Sequence, residues 1–196
     1  MRILADITRL RQICCDPSLI IEGYDGGSAK LDLLLELIEE AMDGGHKMLV
    51  FSQFTSMLEL IEKKLKDNGI SYYMITGATP KKKRLELVND FNENEVPVFL
   101  ISLKAGGTGL NLIGADVVIH FDPWWNAAAE NQATDRAHRI GQKSKVSVFK
   151  LIVKGTIEEK ILKMQEEKQN LADEILNGEG TSFFNLSKEE LLDLLQ

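Results

Sequence analysis

The feature that most constrains this chain is an alternation. Five short apolar runs are separated by longer stretches with helical periodicity. The runs cover 47–51 (KMLVF), 71–75 (SYYMI), 96–102 (VPVFLIS), 116–121 (DVVIHF) and 145–153 (KVSVFKLIV). Runs of this length that are apolar throughout read as strands buried on both faces. Two parallel strands need a long crossover, usually a helix, so strands alternating with helices specify βαβ units. The expected fold class is therefore α/β: a mostly parallel sheet of five or more strands between two helical layers.

The intervening helices have readable limits. One spans about 55–68 and closes at Gly69; a basic one spans about 80–91, with Pro80 suited to its first turn. Another spans about 126–140 and ends at Gly141. Ahead of the strands, Ile7, Leu10, Ile13 and Cys14 fall at helical spacing until Pro17. The polar stretch 22–28 (EGYDGGS) reads as a linker whose Ser28 caps the next helix. That helix places Leu31, Leu34, Leu35, Ile38 and Met42 on one face and stops at Gly44-Gly45. After residue 156 the chain is helical and charged, with Ile157, Ile161, Met164 and Lys168 on one stripe. The organisation expected is a helical lead-in and linker (1–27), an α/β domain (28–153) and a helical extension (154–196).

Composition narrows the function classes. Hydrophobic residues at 44% and charged residues at 27% fit a soluble globular chain, and no apolar run approaches the roughly 20 residues of a membrane helix. The opening MRILADITRLRQ is charged throughout, unlike a secretory leader. The two cysteines, Cys14 and Cys15, are adjacent, which suits neither a disulfide nor a zinc site and fits a reducing compartment. A net charge of −7 works against nucleic acid, but the charge of one face decides that question. Basic residues gather at Lys81, Lys82, Lys83 and Arg84 and again over 136–150.

Three segments carry residues suited to chemistry. Residues 102–112 (SLKAGGTGLNL) leave the carboxyl end of a strand, the edge where open α/β sheets bind ligands. Its glycines allow backbone N–H groups to approach a phosphate, or simply make a tight turn. The loop is not a dinucleotide fingerprint, because the third glycine position is Leu112, and no Lys-Ser or Lys-Thr follows to make it a P-loop. In 130–142 (ENQATDRAHRIGQ), Gln132, Arg136 and Arg139 would share a helical stripe and form an anion clamp; alternatively Asp135 pairs with Arg139. His138, His46 and His120 lack metal-ligand spacing. Residues 121–126 (FDPWWN) put two tryptophans in a loop, one of them suited to face a ligand, nucleic acid or another domain.

Taken together, these segments resemble the ordered motifs of Swi/Snf-type ATPases in helicase superfamily 2. Residues 47–54 (KMLVFSQF) look like the fourth helicase motif and 102–112 the fifth. Residues 116–126 look like the adjoining tryptophan motif and 132–142 (QATDRAHRIGQ) the sixth. The flanks LRQICCDP and KGTIEEK agree. Ala127 stands where the family usually has Pro, and Asp16 where His is common; neither position is catalytic in the family. The lack of long insertions looks like a compact prokaryotic member. The resemblance implies a RecA-like second lobe of an ATP-driven translocase on double-stranded DNA. It implies Arg136 and Arg139 as fingers to a triphosphate, Gln132 as their orienter, and Gly107 and Gly109 lining the ATP cleft. It implies Ser52, Gln53, Thr76, Gly77, Thr79, Ser102, Lys104 and Trp125 on the DNA side.

ATP and Mg2+ would be bound in the complete two-lobe enzyme and not tightly by this chain alone. It has no Walker A sequence, and Asp173-Glu174 follows no strand and so makes no metal box. The implied partners are double-stranded DNA, the N-terminal ATPase lobe of the same parent and a protein–DNA complex as target, with no membrane. The start at Met1-Arg-Ile, inside a family-typical helix, implies a piece of a longer protein. The location would be cytoplasmic and nucleoid-associated in a prokaryote, or nuclear in a eukaryote. Alternative readings are a non-hydrolysing nucleic-acid binding or regulatory module, and a strand-separating helicase. A nucleotide-dependent oxidoreductase is disfavoured by the failed fingerprint.

Overall fold

In the computed structural model, which describes residues 2–106, 109–137 and 145–176, the alternation becomes one parallel sheet. Its strands are β1 (Met48–Ser52), β2 (Tyr72–Ile75), β3 (Val98–Ser102), β4 (Val117–His120) and β5 (Ser147–Lys150). They lie in the order β2-β3-β1-β4-β5, and each neighbouring pair is parallel. The helices are α1 (Arg2–Cys15), α2 (Ala29–Asp43), α3 (Thr55–Asp67), α4 (Lys81–Glu93), α5 (Leu103–Gly106), α6 (Ala127–Thr134) and α7 (Ile157–Leu176). A 3-10 turn at Pro17–Leu19 separates α1 from α2, and the Asp16 carboxylate caps it by accepting from the Ser18 N–H.

Side chains alternate across each strand, so the sheet serves two cores. On one face Met48, Val50, Leu100 and Ile119 pack against α2 and α3 through Leu34, Ile38, Met57, Leu58 and Ile61. On the other, Leu49, Phe51, Phe99, Ile101 and Val118 pack against Val88 and Phe91 of α4 and Ala133 of α6. These are the three layers expected. Burying each large apolar side chain contributes about 1.5–3 kcal/mol, so the central strands anchor the domain. Burial on both faces holds for β1, β3 and β4. It does not hold for β5, which is exposed throughout, with Phe149 at 41%. β5 lies at one edge of the sheet; β2, at the other edge, is partly covered, with Ile75 buried.

Local signals set most element ends. Ser28 Oγ accepts from the Leu31 N–H and donates to the Cys15 carbonyl, fastening the start of α2 to the end of α1. Gly69, with φ +67, takes the left-handed turn after α3 that side chains resist. Pro80 sits one residue ahead of α4, as its cap, rather than inside its first turn.

Two expectations about helices are corrected. The buried face of α1 is Ile7, Arg11 and Cys15, at successive spacings of four, whereas Leu10 and Ile13 are exposed. A third small core explains this: Ile7 packs with Ile157 and Ile161 of α7, so the lead-in and the C-terminal helix cover one another. The helix expected over 126–140 ends at Thr134. The Arg136 carbonyl accepts from the Leu112 N–H at 3.0 Å, and the Arg136 and Ala137 N–H groups bond three residues back. The turn beyond α6 is thus tightened to three-residue bonds and tied to the loop after β3.

Candidate nucleic-acid interface

Because all five strands run the same way, their carboxyl ends meet at one edge. Ser52 lies opposite Ser102, Phe51 opposite His120, and Ile75 opposite Ile101. The loops leaving this edge carry Gln53, Thr76, Gly77, Thr79 and Trp125, and the short α5 carries Lys104, so the topology brings the DNA-side residues expected from the sequence to one edge. The alternation alone dictates this convergence, as ligands of open parallel sheets bind outside the carboxyl ends.

The loop after β2 is exposed at Gly77 and Ala78 and is pinned from below. The Thr76 N–H donates to Thr79 Oγ1 at 3.0 Å. Arg84 of α4 turns inward and donates to the carbonyls of Thr76, Gly77 and Thr79 at 3.2, 3.0 and 2.7 Å. That leaves Lys81, Lys82 and Lys83 exposed at the start of α4, with Lys104 also exposed across the edge. The edge therefore presents lysine cations although the whole chain is acidic.

Beneath the surface lies a polar cluster. Asp122, at the end of β4, is buried; Ser52 Oγ donates to its Oδ1 at 2.5 Å and Gln53 Nε2 donates to its Oδ2 at 2.6 Å. Gln53 Oε1 accepts from Arg11 Nη1 at 2.8 Å, and Arg11 Nη2 donates to the Pro123 carbonyl and lies 3.9 Å from Asp122. The Arg11 guanidinium covers the Trp125 ring, 4.7 Å from its centroid. Burial pushes the Asp122 carboxyl above the usual carboxylate range, while Ser52 and Arg11 pull it back down. Burial also lowers the Arg11 guanidinium.

Ser52 and Ser102 are 1% and 3% exposed, so neither hydroxyl is on the surface. Ser52 is spent on Asp122; Ser102 Oγ has no hydrogen-bond partner among the described residues. Trp125 is half-buried against the Ile7–Ile161 core, and Trp124 is fixed through its backbone N–H, which donates to Glu130 Oε1 at 2.5 Å. Glu130 is itself buried and paired with Lys150 at 2.7 Å.

The expected anion clamp is only partly in view. Gln132 is exposed on α6, and Arg136 is buried in the turn beyond it. They do not share a helical stripe, because the helix ends between them. Arg139 and Gly107 lie outside the described residues. Gly109 has φ +72, so its glycine is required by backbone conformation alone. Asp122 is the carboxylate at this edge, and both its oxygens are occupied, so it does not fit a Mg2+ ligand. Among the described residues no group of three His, Cys, Asp or Glu could hold a metal. Burial raises both thiols, so neither cysteine is an activated nucleophile.

Sequence reasoning missed Arg11, Asp122 and Glu130, and gave Arg84 only as one of a basic run. Periodicity treats a charged residue as solvent-facing, so buried arginines and carboxylates are invisible to it. Only the flanking LRQICCDP resemblance touched Arg11.

Residues 29–141 match the family model described as the helicase conserved C-terminal domain. Over 195 residues the chain is 45% identical to a Mycoplasma pneumoniae protein named as an uncharacterized ATP-dependent helicase, covering 99% of this chain and 19% of that protein. It is 34% identical over 212 residues to the ISWI chromatin-remodeling complex ATPase ISW2 of Saccharomyces cerevisiae, covering 100% of this chain and 19% of that protein. The chain thus spans about a fifth of the length of these relatives. The solved C-terminal part of the Fun30 ATPase domain superposes with a TM-score of 0.68 at 36% identity, covering 81% of this chain and 54% of that one. The matched motif order, the parallel sheet and these likenesses agree: the chain belongs to the helicase conserved C-terminal domain family, in its Swi/Snf-type branch.

Proposed function

We propose that this chain is the second motor lobe of an ATP-dependent translocase on double-stranded DNA. The observation that carries the reading is the carboxyl edge of the sheet. There the Thr76–Thr79 loop, Gln53, Lys104, Trp125 and the basic start of α4 converge in a protein of net charge −7. Amides, hydroxyls and lysines contact phosphate without reading bases, so the expected binding is sequence-independent and strongly salt-dependent. Ser52, lying deeper, supports the loop after β1 through its bonds to Asp122 and the Phe54 N–H. Arg136 and Arg139 are assigned to a triphosphate held by a first lobe of the same parent, and Gln132, Gly107 and Gly109 to the same cleft. Such arginines raise phosphoryl-transfer rates by about 10³–10⁵. Mg2+ belongs with the first lobe, since the edge described here offers no open carboxylate. A protein–DNA complex is the target assigned to the assembled motor.

The test is ATP hydrolysis with and without duplex DNA, for this chain alone and mixed with a first lobe made from the same parent. The expected result is no turnover alone and DNA-stimulated turnover in the mixture, abolished by Arg139→Ala. DNA binding with no hydrolysis in any mixture would favour a regulatory nucleic-acid module instead. Turnover by this chain alone would overturn the division of labour between lobes.

A further inference from the structure

Arg11 is among the largest fully buried side chains of the molecule, 1% exposed, and it lies outside the stretch matched by the family model. A buried guanidinium is costly unless its hydrogen bonds are met, and an apolar residue would attach α1 to the sheet at less cost. What the charge adds is direction. Arg11 Nη1 donates to Gln53 Oε1 at 2.8 Å, and Gln53 Nε2 donates to Asp122 Oδ2 at 2.6 Å. The Gln53 amide is therefore clamped at both ends. Flipping it would set its NH2 against a cation and its oxygen against a carboxylate. The same guanidinium donates to the Pro123 carbonyl and stacks between Trp125 and Phe54, at 4.7 and 5.6 Å from their centroids. One side chain from α1 thus touches the loops after both β1 and β4. Ser52, which also bonds Asp122, completes the set.

We infer that Arg11 is a positioning residue: from the lead-in helix it fixes the Gln53 amide and the Trp125 ring at the carboxyl edge, and so sets the geometry of the DNA-facing loops. The link to DNA rests on the function proposed above; the clamp on Gln53 and Trp125 does not. A movement of α1 would reach the interface through this contact and not through the sheet.

The test uses the full chain, with Arg11→Met, Arg11→Lys and, as a control, Leu65→Ala, which removes core packing on α3 far from the cluster. Three readouts are taken: the thermal midpoint, the NMR signals of the Gln53 side-chain amide and the Trp125 indole N–H, and the Kd for a short duplex at fixed ionic strength. Both Arg11 variants are expected to shift the Gln53 and Trp125 signals. They should raise Kd roughly tenfold, the cost of one charge-assisted contact. Arg11→Lys should act in the same direction even if Arg11→Met fails to fold, because one ammonium cannot reproduce the planar fork. Leu65→Ala should lower the midpoint and leave both signals and Kd in place. The proposal is overturned if the Arg11 variants leave those signals unmoved, or if Leu65→Ala moves signals and Kd equally. If the unaltered chain binds no duplex, the DNA reading fails and the spectra alone decide the positioning role.

Discussion

Lys30 is buried with its Nζ 2.6 and 2.5 Å from the two oxygens of Glu158 and 3.1 Å from the Phe121 carbonyl. The Val153 N–H also donates to Glu158, whose carboxyl is pushed up by burial and held down by Lys30. Removing one partner of such a pair strands the other. Lys30→Met should therefore cost about 3–5 kcal/mol in denaturant unfolding, with much of the loss recovered in Lys30→Met/Glu158→Leu. A double variant no better than the single would refute this. His120 makes a second residue-scale prediction. It is buried, stacked on Phe51 at 5.6 Å and bonded through Nε2 to Thr134 Oγ1 at 3.0 Å. Burial lowers it from 6.5 to about 4. The unfolded chain takes up this proton first, so the stability it gives is complete above pH 6.5 and shrinks as pH falls towards 4, by up to about 3 kcal/mol. Melting curves at pH 7 and 4.5 should show a smaller drop for His120→Gln than for the unaltered chain; equal drops would remove His120 as the cause. Neither Lys30 nor His120 stood out in the sequence, because burial of a polar group depends on a partner far along the chain.

At the scale of elements, the strands were legible because uniform apolar runs admit few other structures, and helices α2, α3 and α4 because their stripes match a period of 3.6. The two misread features share a cause. The turn that follows α6 is tied to Leu112, 24 residues back along the chain, and the buried face of α1 packs on α7. Local pattern contains neither. The edge position of β5 is a matter of topology, although its Ser147 and Lys150 already set it apart from the central strands. This yields a prediction. Val148 and Val118 sit opposite one another in the sheet, 44% and 0% exposed. Val148→Lys should change stability by less than about 0.5 kcal/mol, as exposed substitutions do, whereas Val118→Lys should unfold the domain. A large loss at Val148 would mean that something covers this edge.

For the whole molecule, the carboxyl edge was the most legible part of the site, since parallel strands bring their loops to one place whatever those loops contain. The cluster beneath it was not legible. The boundary expected at residue 28 also runs through shared contacts: Ile7, Arg11 and Cys15 of α1 are completely or almost completely buried. A chain starting at Ser28 should therefore lose cooperative unfolding or precipitate, by calorimetry and gel filtration. A sharp transition near that of the full chain would show that α1 is dispensable. The meeting of α1 and α2 with α7 also bears on synthesis. Lys30 and Glu158 are 128 residues apart. At about 5–20 residues per second, a ribosome needs roughly 6–26 s to make that interval. During it the nascent chain holds a lysine facing an unfilled site and strands whose last cover does not yet exist. The domain thus closes late, on α7, and the pause before closure is when a chaperone would find it.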